Sequence, residues 1–226
     1  MHQPAPHLIG TDALFIDFEG EQSGPPVLLG VLGGAAALGD GAEFRQYVFD
    51  PDLQRAGMAR STGHGPCMPM TALEALRRLR AAVEQSGLPV FAWSSYEQTA
   101  ILDLVGPGDD ARFWDGRIVD AKAIAKRWKR RAHPQVEFPR TPGAGRHALR
   151  HYLRLIGYEI PPTQQGGKTG ARIRAVREAL QTRGAFEALT PTQKRKWASL
   201  LEHNWHDCNG MREVLRIAEA GVRESG

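Results

Sequence analysis

Two carboxylates close to the start of the chain have the spacing of metal ligands. Asp17 and Glu19 lie two residues apart in the segment ALFIDFEG (13–20), whose aromatic and branched residues are typical of a strand. Side chains alternate between the faces of a strand, so both acids share one face, about 7 Å apart along the backbone. Paired acids repel each other and are costly to bury, and a hard divalent cation removes that repulsion. The pair indicates either a Mg²⁺ or Mn²⁺ site or a strand end where both acids reach water.

A second group of potential ligands lies in the segment LLEHNWHDCNGM (200–211). This segment is expected to be helical, and His203 and Asp207, four residues apart, then share one face with Cβ atoms about 5–6 Å apart. Asp207 could complete a metal site, and His203 could orient or deprotonate a water molecule. The other interpretation is a helix with histidines at its surface.

Glu97 is a third candidate, in the segment WSSYEQ (93–98) directly after a short apolar run. We expect a helix here, with Ser95 and Gln98 as a capping box and Glu97 in the first turn. The helix dipole alone favours an acid at that position. Glu97 is therefore either a structural acid or a further ligand.

The rest of the pattern predicts the elements that position these residues. Three strands joined by short polar turns indicate an antiparallel meander, and alternating helices and strands follow it. Strands are expected at 13–19, 27–34, 43–49 and 88–93, with the end of another at 118–119. Helices are expected at 71–87, 94–106, after an N-cap at Asp120, from 147 to Gly157, and from Pro191 towards Ala220. The predicted fold class is α/β, with a mixed central sheet of three antiparallel strands and then two parallel ones, flanked by helices.

The 226 residues are expected to form one domain with a sizeable core. We place a flexible N-terminal tail at 1–11 and a single domain at 12–220. Within it, basic loops are expected near 129–146 and 161–172, where Pro, Gly, Lys and Arg are frequent. Four aromatic residues, Trp93, Tyr96, Trp114 and Trp128, flank the candidate acids in sequence; they could stack on nucleic-acid bases or pack in the core.

Charge is distributed unevenly along the chain. Residues 120–200 hold 18 Lys and Arg against 5 Asp and Glu, whereas residues 1–119 hold 8 against 15. This asymmetry is expected of an enzyme that contacts phosphates with one part and metal with another, although solvated helix faces give the same counts. The candidate nucleic-acid contacts are Lys126, Arg130, Arg131, Arg146, Arg150, Lys168 and Arg172.

Composition favours a soluble protein of a reducing compartment. Two cysteines are too few for a disulfide framework. The first residues, MHQPAPHLIG, lack the basic start and apolar core of a signal peptide, and no apolar run approaches the roughly 20 residues that span a membrane. A cytoplasmic location and no membrane partner are expected.

Five segments together resemble the DEDD-type 3′–5′ exonucleases of the ribonuclease H-like superfamily, and most closely the bacterial YprB-like branch. They are LFIDFEG, FAWSSYEQTAILDL, IVDAKAIAKRW, HALRHYLRLIGY and HNWHDCNGMREVL, in the order found in that family, and they span roughly residues 12–217. That branch has a D-x-E strand, a Tyr-Glu at a helix start and a closing helix with a Tyr-Asn…Asp pattern.

The resemblance implies a ribonuclease H-like fold and a 3′–5′ exonuclease that hydrolyses single-stranded DNA or RNA ends with two Mg²⁺ or Mn²⁺ ions. Asp17, Glu19 and Asp207 match the metal-binding acids of the family. Glu97 matches the remaining acid, which is Asp in many relatives. His203 stands four residues before the last acid, where this branch usually has Tyr, and is the candidate general base; histidine-type exonucleases place their His five residues before it.

Two other functions stay open from the sequence. A ribonuclease HI-type endonuclease could be assigned Asp17, Glu74 and Asp120 as its acids, although the second acid of the first strand favours the exonuclease. The substitutions at His203 and Glu97 also allow a ribonuclease H-like module with weak or lost catalysis, which would hold nucleic acid or a partner protein.

Overall fold

A computed structural model describes residues 13–22, 24–38, 41–140, 145–161 and 168–223. Its strands are β1 (Leu14–Gly20), β2 (Pro26–Leu32), β3 (Phe44–Val48), β4 (Cys67–Pro69), β5 (Val90–Ala92) and β6 (Ile118–Asp120). Its helices are α1 (Ala35–Leu38), α2 (Pro51–Ala59), α3 (Ala72–Ser86), α4 (Ser95–Val105), α5 (Asp109–Trp114), α6 (Ala121–Ala132), α7 (Leu149–Leu155), α8 (Thr169–Arg183) and α9 (Pro191–Arg223). The chain is therefore α/β, as predicted.

The six strands form one mixed sheet in the order β4-β3-β2-β1-β5-β6. The first three strands pair antiparallel, and β5 and β6 run parallel to β1. This confirms the predicted meander and the two parallel strands after it. Strand β4 pairs parallel with β3 at the far edge and was not predicted; it has only three residues, and Pro69 ends it.

Both faces of β1 are covered, which confirms the alternation expected from the sequence. Leu14, Ile16 and Phe18 pack in one core with α3 and α4. Ala13 and Phe15 pack in another, with α6, α7 and α9. Because period-two alternation continues along the strand, the two acids further on lie on the second face, beneath α9.

The parallel pairing decides where polar residues gather. Because β1 and β5 run in the same direction, their carboxyl ends meet at one edge of the sheet. Asp17 and Glu19 stand near that end of β1, and α4 begins shortly after the same end of β5. Ligands in open α/β sheets bind at such an edge.

Helix α4 has its capping box one residue earlier than predicted. Its N-cap is Ser94, and the capping box joins Ser94 to Glu97 rather than Ser95 to Gln98. The two neighbouring serines made either register possible from sequence. The shift matters because it gives the Glu97 carboxylate a structural partner.

The predicted basic loops are shorter than expected. Helix α6 continues to Ala132, so the first loop begins after it, and α8 begins at Thr169 inside the second. Residues 141–144 and 162–167 of these loops lie outside the described residues, as does the predicted tail 1–11. Helix α7 ends at Leu155, just before the positive-φ residue Gly157.

Helix α8 was not predicted, and ion pairs fasten it to the sheet. Arg177 pairs with both Glu21, in the turn after β1, and Asp50, the N-cap of α2. Arg174 pairs with the same Glu21 at 2.9 Å. The start of α8 is thereby held beside the carboxyl end of β1. Among the described residues, no helix combines the length and the apolar character needed to cross a membrane.

Candidate metal centre

Strand β1 presents two acids to the helical layer above it. Asp17 is half-buried and lies opposite Gly30 of β2, whereas Glu19 is buried, with 6% of its surface exposed. Glu19 Oε1 is buried and has no hydrogen-bond partner among the described residues. A buried carboxylate oxygen without a partner is costly unless a proton or a cation binds it.

Helix α9 brings the second group of residues to the same place. His203 and Asp207 lie one turn apart on the face towards β1, with His203 Nε2 3.7 Å from Asp207 Oδ2. Ligand atoms of Glu19, His203 and Asp207 all lie within 4.8 Å of one another. The geometry therefore joins residues that are far apart in sequence, and it makes them a group that could hold a metal ion.

Asp17 is oriented by an amide that sequence reasoning did not assign. Asn204 Nδ2 donates to the main-chain oxygen of Asp17 at 3.0 Å and to its Oδ2 at 2.9 Å. Gln46 Nε2 in turn donates to Asn204 Oδ1 at 2.9 Å and to the carbonyl of Leu201 at 2.9 Å. Both amide side chains are fully buried. They form a chain of hydrogen bonds from β3 through α9 to the acid on β1.

Gly30 makes room for this amide. A Cβ atom at Gly30 would lie 2.8 Å from Asn204 Cγ, closer than side chains pack. The signals in the sequence were a Gln at an inward position of β3 and an Asn three residues before Asp207, on the same side of the helix. Neither reveals its partner, because the contacts join three distant segments.

Glu97 lies at the same edge but has a structural role as well. Its Oε2 accepts hydrogen bonds from the main-chain N–H of Ser94 at 3.2 Å and from Ser94 Oγ at 2.8 Å. Burial raises the pKa of Glu97, and the hydrogen bonds from Ser94 oppose that rise. One carboxylate oxygen is thus used by the helix cap, and the charge of Glu97 also adds to the repulsion that raises the pKa of Asp17 on β1.

Three acids at this site have raised pKa values. Burial, followed by repulsion from Glu19, Asp207 and Glu97, raises the pKa of Asp17 well above its ordinary value. Burial likewise raises the pKa of Glu19 to about 8. Burial raises the pKa of Asp207 despite the nearby imidazole of His203. Burial disfavours the ionised carboxylates, and at Asp17 repulsion adds to this effect. Bound cations would favour the ionised forms again.

His203 responds in the opposite sense. Burial opposes its protonation, but the carboxylates of Asp207 and Glu19 outweigh burial and raise the pKa of the imidazole. Arg172 of α8 acts on the same two groups, because its positive charge lowers the pKa of both Glu19 and His203. Thr169 lies within hydrogen-bonding reach of the Glu19 carboxylate. The start of α8 therefore forms one wall of the site.

The donor set suits Mg²⁺ or Mn²⁺. Hard divalent cations take carboxylate oxygens, and Mn²⁺ also accepts imidazole nitrogen. The unpartnered Glu19 Oε1 and the raised pKa values of three acids are the observations that fit such ions. The residues that could hold them are Asp17, Glu19, Glu97 and Asp207.

The predicted nucleic-acid contacts fall into three places. Lys126, Arg130 and Arg131 are exposed on α6, and Arg146 is exposed just before α7. Arg150 is half-buried on α7, and its buried Nη2 has no hydrogen-bond partner within the described segments of the chain. Lys168 is exposed at the N-cap of α8, and Arg172 lies at the acidic site itself. These residues therefore do not form a single patch, and Lys122, which was not predicted, stands in the first turn of α6, directly after β6.

The acids of the endonuclease interpretation are engaged elsewhere. Glu74 closes the capping box of α3 with Thr71. Asp120 is the N-cap of α6, where it accepts from Ala123 N at 2.9 Å. Of the aromatic residues, Trp114 and Trp128 are buried in the cores, whereas Tyr96 is 46% exposed beside Glu97. Trp93 is half-buried, and its Nε1 donates to the main-chain oxygen of His147, so Tyr96 is the most exposed of the four aromatic residues.

Comparison of the chain with family models, with curated proteins and with solved structures gives no match. Its function is therefore inferred from its own residues.

Proposed function

We propose that this chain is a metal-dependent 3′–5′ exonuclease that hydrolyses phosphodiester bonds of single-stranded DNA or RNA. The observation that carries the proposal is the convergence of Glu19, His203 and Asp207 within 4.8 Å, beside the oriented carboxylate of Asp17. Buried acids gathered at the carboxyl edge of a sheet are costly to the fold unless they bind cations. Metal binding is the simplest explanation for acids at these positions.

The topology supports a ribonuclease H-like fold. A three-stranded antiparallel meander whose first strand is joined by two parallel strands is the arrangement that the resemblance implies, and the same order is present here from β3 to β6. The acids occupy β1, the start of helix α4 after β5, and the closing helix α9. Strand β4 and helix α8 are additions around that arrangement.

The side chains of the site would have different roles. Asp17, Glu19, Glu97 and Asp207 would hold two cations, with Asp17 fixed by Asn204. When bound, divalent cations supply an activated water and neutralise the charge that develops on the departing oxygen. The Arg172 guanidinium, close to Glu19, is placed to meet a phosphate oxygen.

His203 is placed to move a proton. In its neutral form, Nε2 can accept the proton of a water held beside Asp207, from which it is 3.7 Å away. The negative charges of Asp207 and Glu19 raise the pKa of this imidazole. Neutralising those two charges removes the cause of the rise and favours the neutral base.

A second candidate function is a ribonuclease H-like module with weak or lost catalysis. The observation that favours it is the Glu97 carboxylate, which accepts two hydrogen bonds from Ser94 and is thereby occupied by the helix cap. Such a module would bind nucleic acid or a partner protein with little hydrolysis.

A nuclease assay separates the two. Purified protein is incubated with 5′-labelled single-stranded DNA and RNA in Mg²⁺ or Mn²⁺ at about pH 7–9, where carboxylate ligands are deprotonated in the presence of metal. We expect a ladder of products shortened from the 3′ end. Asp17→Asn and Asp207→Asn should abolish it. Intact strands with every metal would overturn the catalytic proposal and leave the second candidate, the module with weak or lost catalysis. Wild-type activity in both variants would remove both residues from the site.

A further inference from the structure

We propose that the nucleic-acid strand leads to the acidic site along one face of α6, the cationic stripe formed by Lys122, Lys126, Lys129 and Arg130. This inference rests on the proposed nuclease function and names the substrate path of the same site. It assigns the path of the strand to α6 rather than to Arg174 and Arg177 of α8, which are held in ion pairs, and it adds Lys122 and Lys129 to the residues expected from sequence.

Helical geometry places the four cations in a row. Relative to Lys122 they stand at i+4, i+7 and i+8, which is one side of an α-helix. The row is about 12 Å long at 1.5 Å per residue. That length accommodates more than one phosphate of a strand. Arg131, at i+9, lies on the far side of the helix and is not part of the stripe.

A surface cavity of about 360 Å³ lies against the stripe and is lined by Lys126, Lys129, Arg130 and His147. The imidazole of His147 is held in place, because its Nδ1 lies 2.7 Å from the hydroxyl of Tyr152. Its main-chain oxygen accepts from Trp93 Nε1 at 3.1 Å. Because Trp93 directly follows β5, this hydrogen bond ties the cavity to the strand that ends at the acidic site.

Within the part of the chain that the structure describes, no acid neutralises the charge of the stripe. Helix α6 contains no acidic residue between Ala121 and Ala132. No described acid forms an ion pair with any cation of the stripe, whereas Arg174 and Arg177 of α8 are paired with Glu21 and Asp50. Unpaired cations in a row attract a polyanion, while paired ones serve the fold.

Lys122 connects the stripe to the acidic site. It stands in the first turn of α6, directly after β6, and because β5 and β6 pair in parallel this turn lies at the same carboxyl edge of the sheet as the start of α4, which carries Glu97. At the other end, burial and then the charges of Lys126, Lys129 and Lys122 lower the pKa of His147, which lines the cavity. The first turn of α6 is thus close to both the acids and the cavity. A strand whose end lies at the acids would pass Lys122 first and the cavity next.

Binding of a labelled single strand tests this path without any need for cleavage. Fluorescence anisotropy of a strand of about 16 nucleotides, the upper range for one such groove, is measured in EDTA for wild type, Lys126→Glu/Arg130→Glu and the control Arg195→Glu/Lys196→Glu. The control reverses two exposed cations at the start of α9 and changes the net charge by the same amount. We expect at least tenfold weaker binding in the stripe variant and wild-type binding in the control.

Salt dependence gives a second readout. Between 50 and 200 mM salt, the slope of log affinity against log salt should be shallower by about 1.4 in the stripe variant, for two lost contacts at about 0.7 each. A labelled polyglutamate of the same charge should bind at least tenfold more weakly than the strand to wild type. Equal losses in both double variants, no loss in the stripe variant, or equal binding of polyglutamate would each overturn the proposed path.

The outcome is separable from that of the nuclease proposal. Wild-type protein that binds strands through the stripe but cleaves nothing would leave the path standing and reject catalysis. Protein that cleaves strands while the stripe variant binds as wild type does would support catalysis and reject the path. Circular dichroism of each variant establishes that it is folded.

Discussion

The amide of Asn204 donates to both the main-chain oxygen and the carboxylate of Asp17, at 3.0 and 2.9 Å. One side chain of the closing helix therefore fixes both the backbone and the side chain of the first strand at the candidate site. We expect Asn204→Ala to lower the free energy of unfolding by about 1–3 kcal/mol, the usual cost of leaving buried partners unpaired. It should also weaken Mn²⁺ binding, because Asp17 is then free to turn. Urea denaturation and calorimetric Mn²⁺ titration measure the two effects.

Asn209 offers a matched control on the same helix. It is buried, and its Nδ2 donates to the hydroxyl of Tyr158 at 3.0 Å, away from Asp17. Asn209→Ala should lower stability but leave Mn²⁺ affinity as in wild type. Unchanged Mn²⁺ affinity in Asn204→Ala would show that the amide does not position the acid.

Gly30 predicts a coupled pair of substitutions. Gly30→Ala would bring a methyl group to 2.8 Å from Asn204 Cγ, so we expect a loss of about 1–3 kcal/mol through overpacking. In Gly30→Ala/Asn204→Ala the opposing atoms are gone, and the double variant should lose less than the sum of the single losses. Urea denaturation of the four proteins gives this coupling. Gly63, with nothing within 4 Å of its Cβ position, is the control, and Gly63→Ala should be near neutral; strict additivity would contradict the packing described.

The buried acids predict how stability depends on pH without metal. Burial raises the pKa of Glu19 to about 8 from its ordinary value of 4.5, so the folded state binds this proton more tightly than the unfolded state does. Its stabilisation is complete below about pH 4.5 and is lost as pH rises through 8. The melting temperature in EDTA should fall by several degrees between about pH 5 and pH 9. Glu19→Gln should make that fall less steep.

Mn²⁺ competes with these protons and should raise the melting temperature most at the higher pH. The comparison is made by thermal melts of wild type and Glu19→Gln across the same pH range. If the melting temperatures of the two proteins in EDTA change in parallel with pH, Glu19 does not titrate in this interval.

Glu97 and Ser94 decide between an active site and a module with weak catalysis. Ser94→Ala removes the N-cap and should cost about 1 kcal/mol of stability, while the carboxylate of Glu97 remains. If Glu97 holds metal, Glu97→Gln should lower the initial rate on labelled single-stranded DNA at least tenfold, about 1.4 kcal/mol. Ser94→Ala should stay within a few-fold of wild type. Similar, small effects of the two variants would assign Glu97 to the helix cap alone.

Local signals in the sequence predicted the main elements of the sheet. Alternation along 13–19 separated the two faces of β1, and the capping boxes of Thr71 with Glu74 and of Thr190 with Gln193 lie where the predicted helices at 71–87 and from Pro191 begin. Each depends on residues a few positions apart, whose contacts local geometry determines. Helical spacing likewise placed His203 and Asp207 on one face.

Features that depend on distant contacts could not be predicted. Helix α8 begins next to a Gly-rich segment and is fastened by Arg177 to Glu21 and Asp50, partners more than a hundred positions away. The hydrogen bonds from Gln46 through Asn204 to Asp17 join three segments in the same way. In α4, two adjacent serines compete for one cap, and tertiary packing selects Ser94.

The closing helix α9 is 33 residues long, about 50 Å, and it serves both parts of the proposed machinery. Near its middle it carries His203 and Asp207, and further on Gly221 packs against Trp128 of α6. A single helix therefore fixes the distance between the acids and the cationic stripe. The number of nucleotides between the phosphate bound at the stripe and the phosphodiester bond that is cleaved is then fixed by the fold. Exhaustive digestion would then stop at remnants of one uniform length.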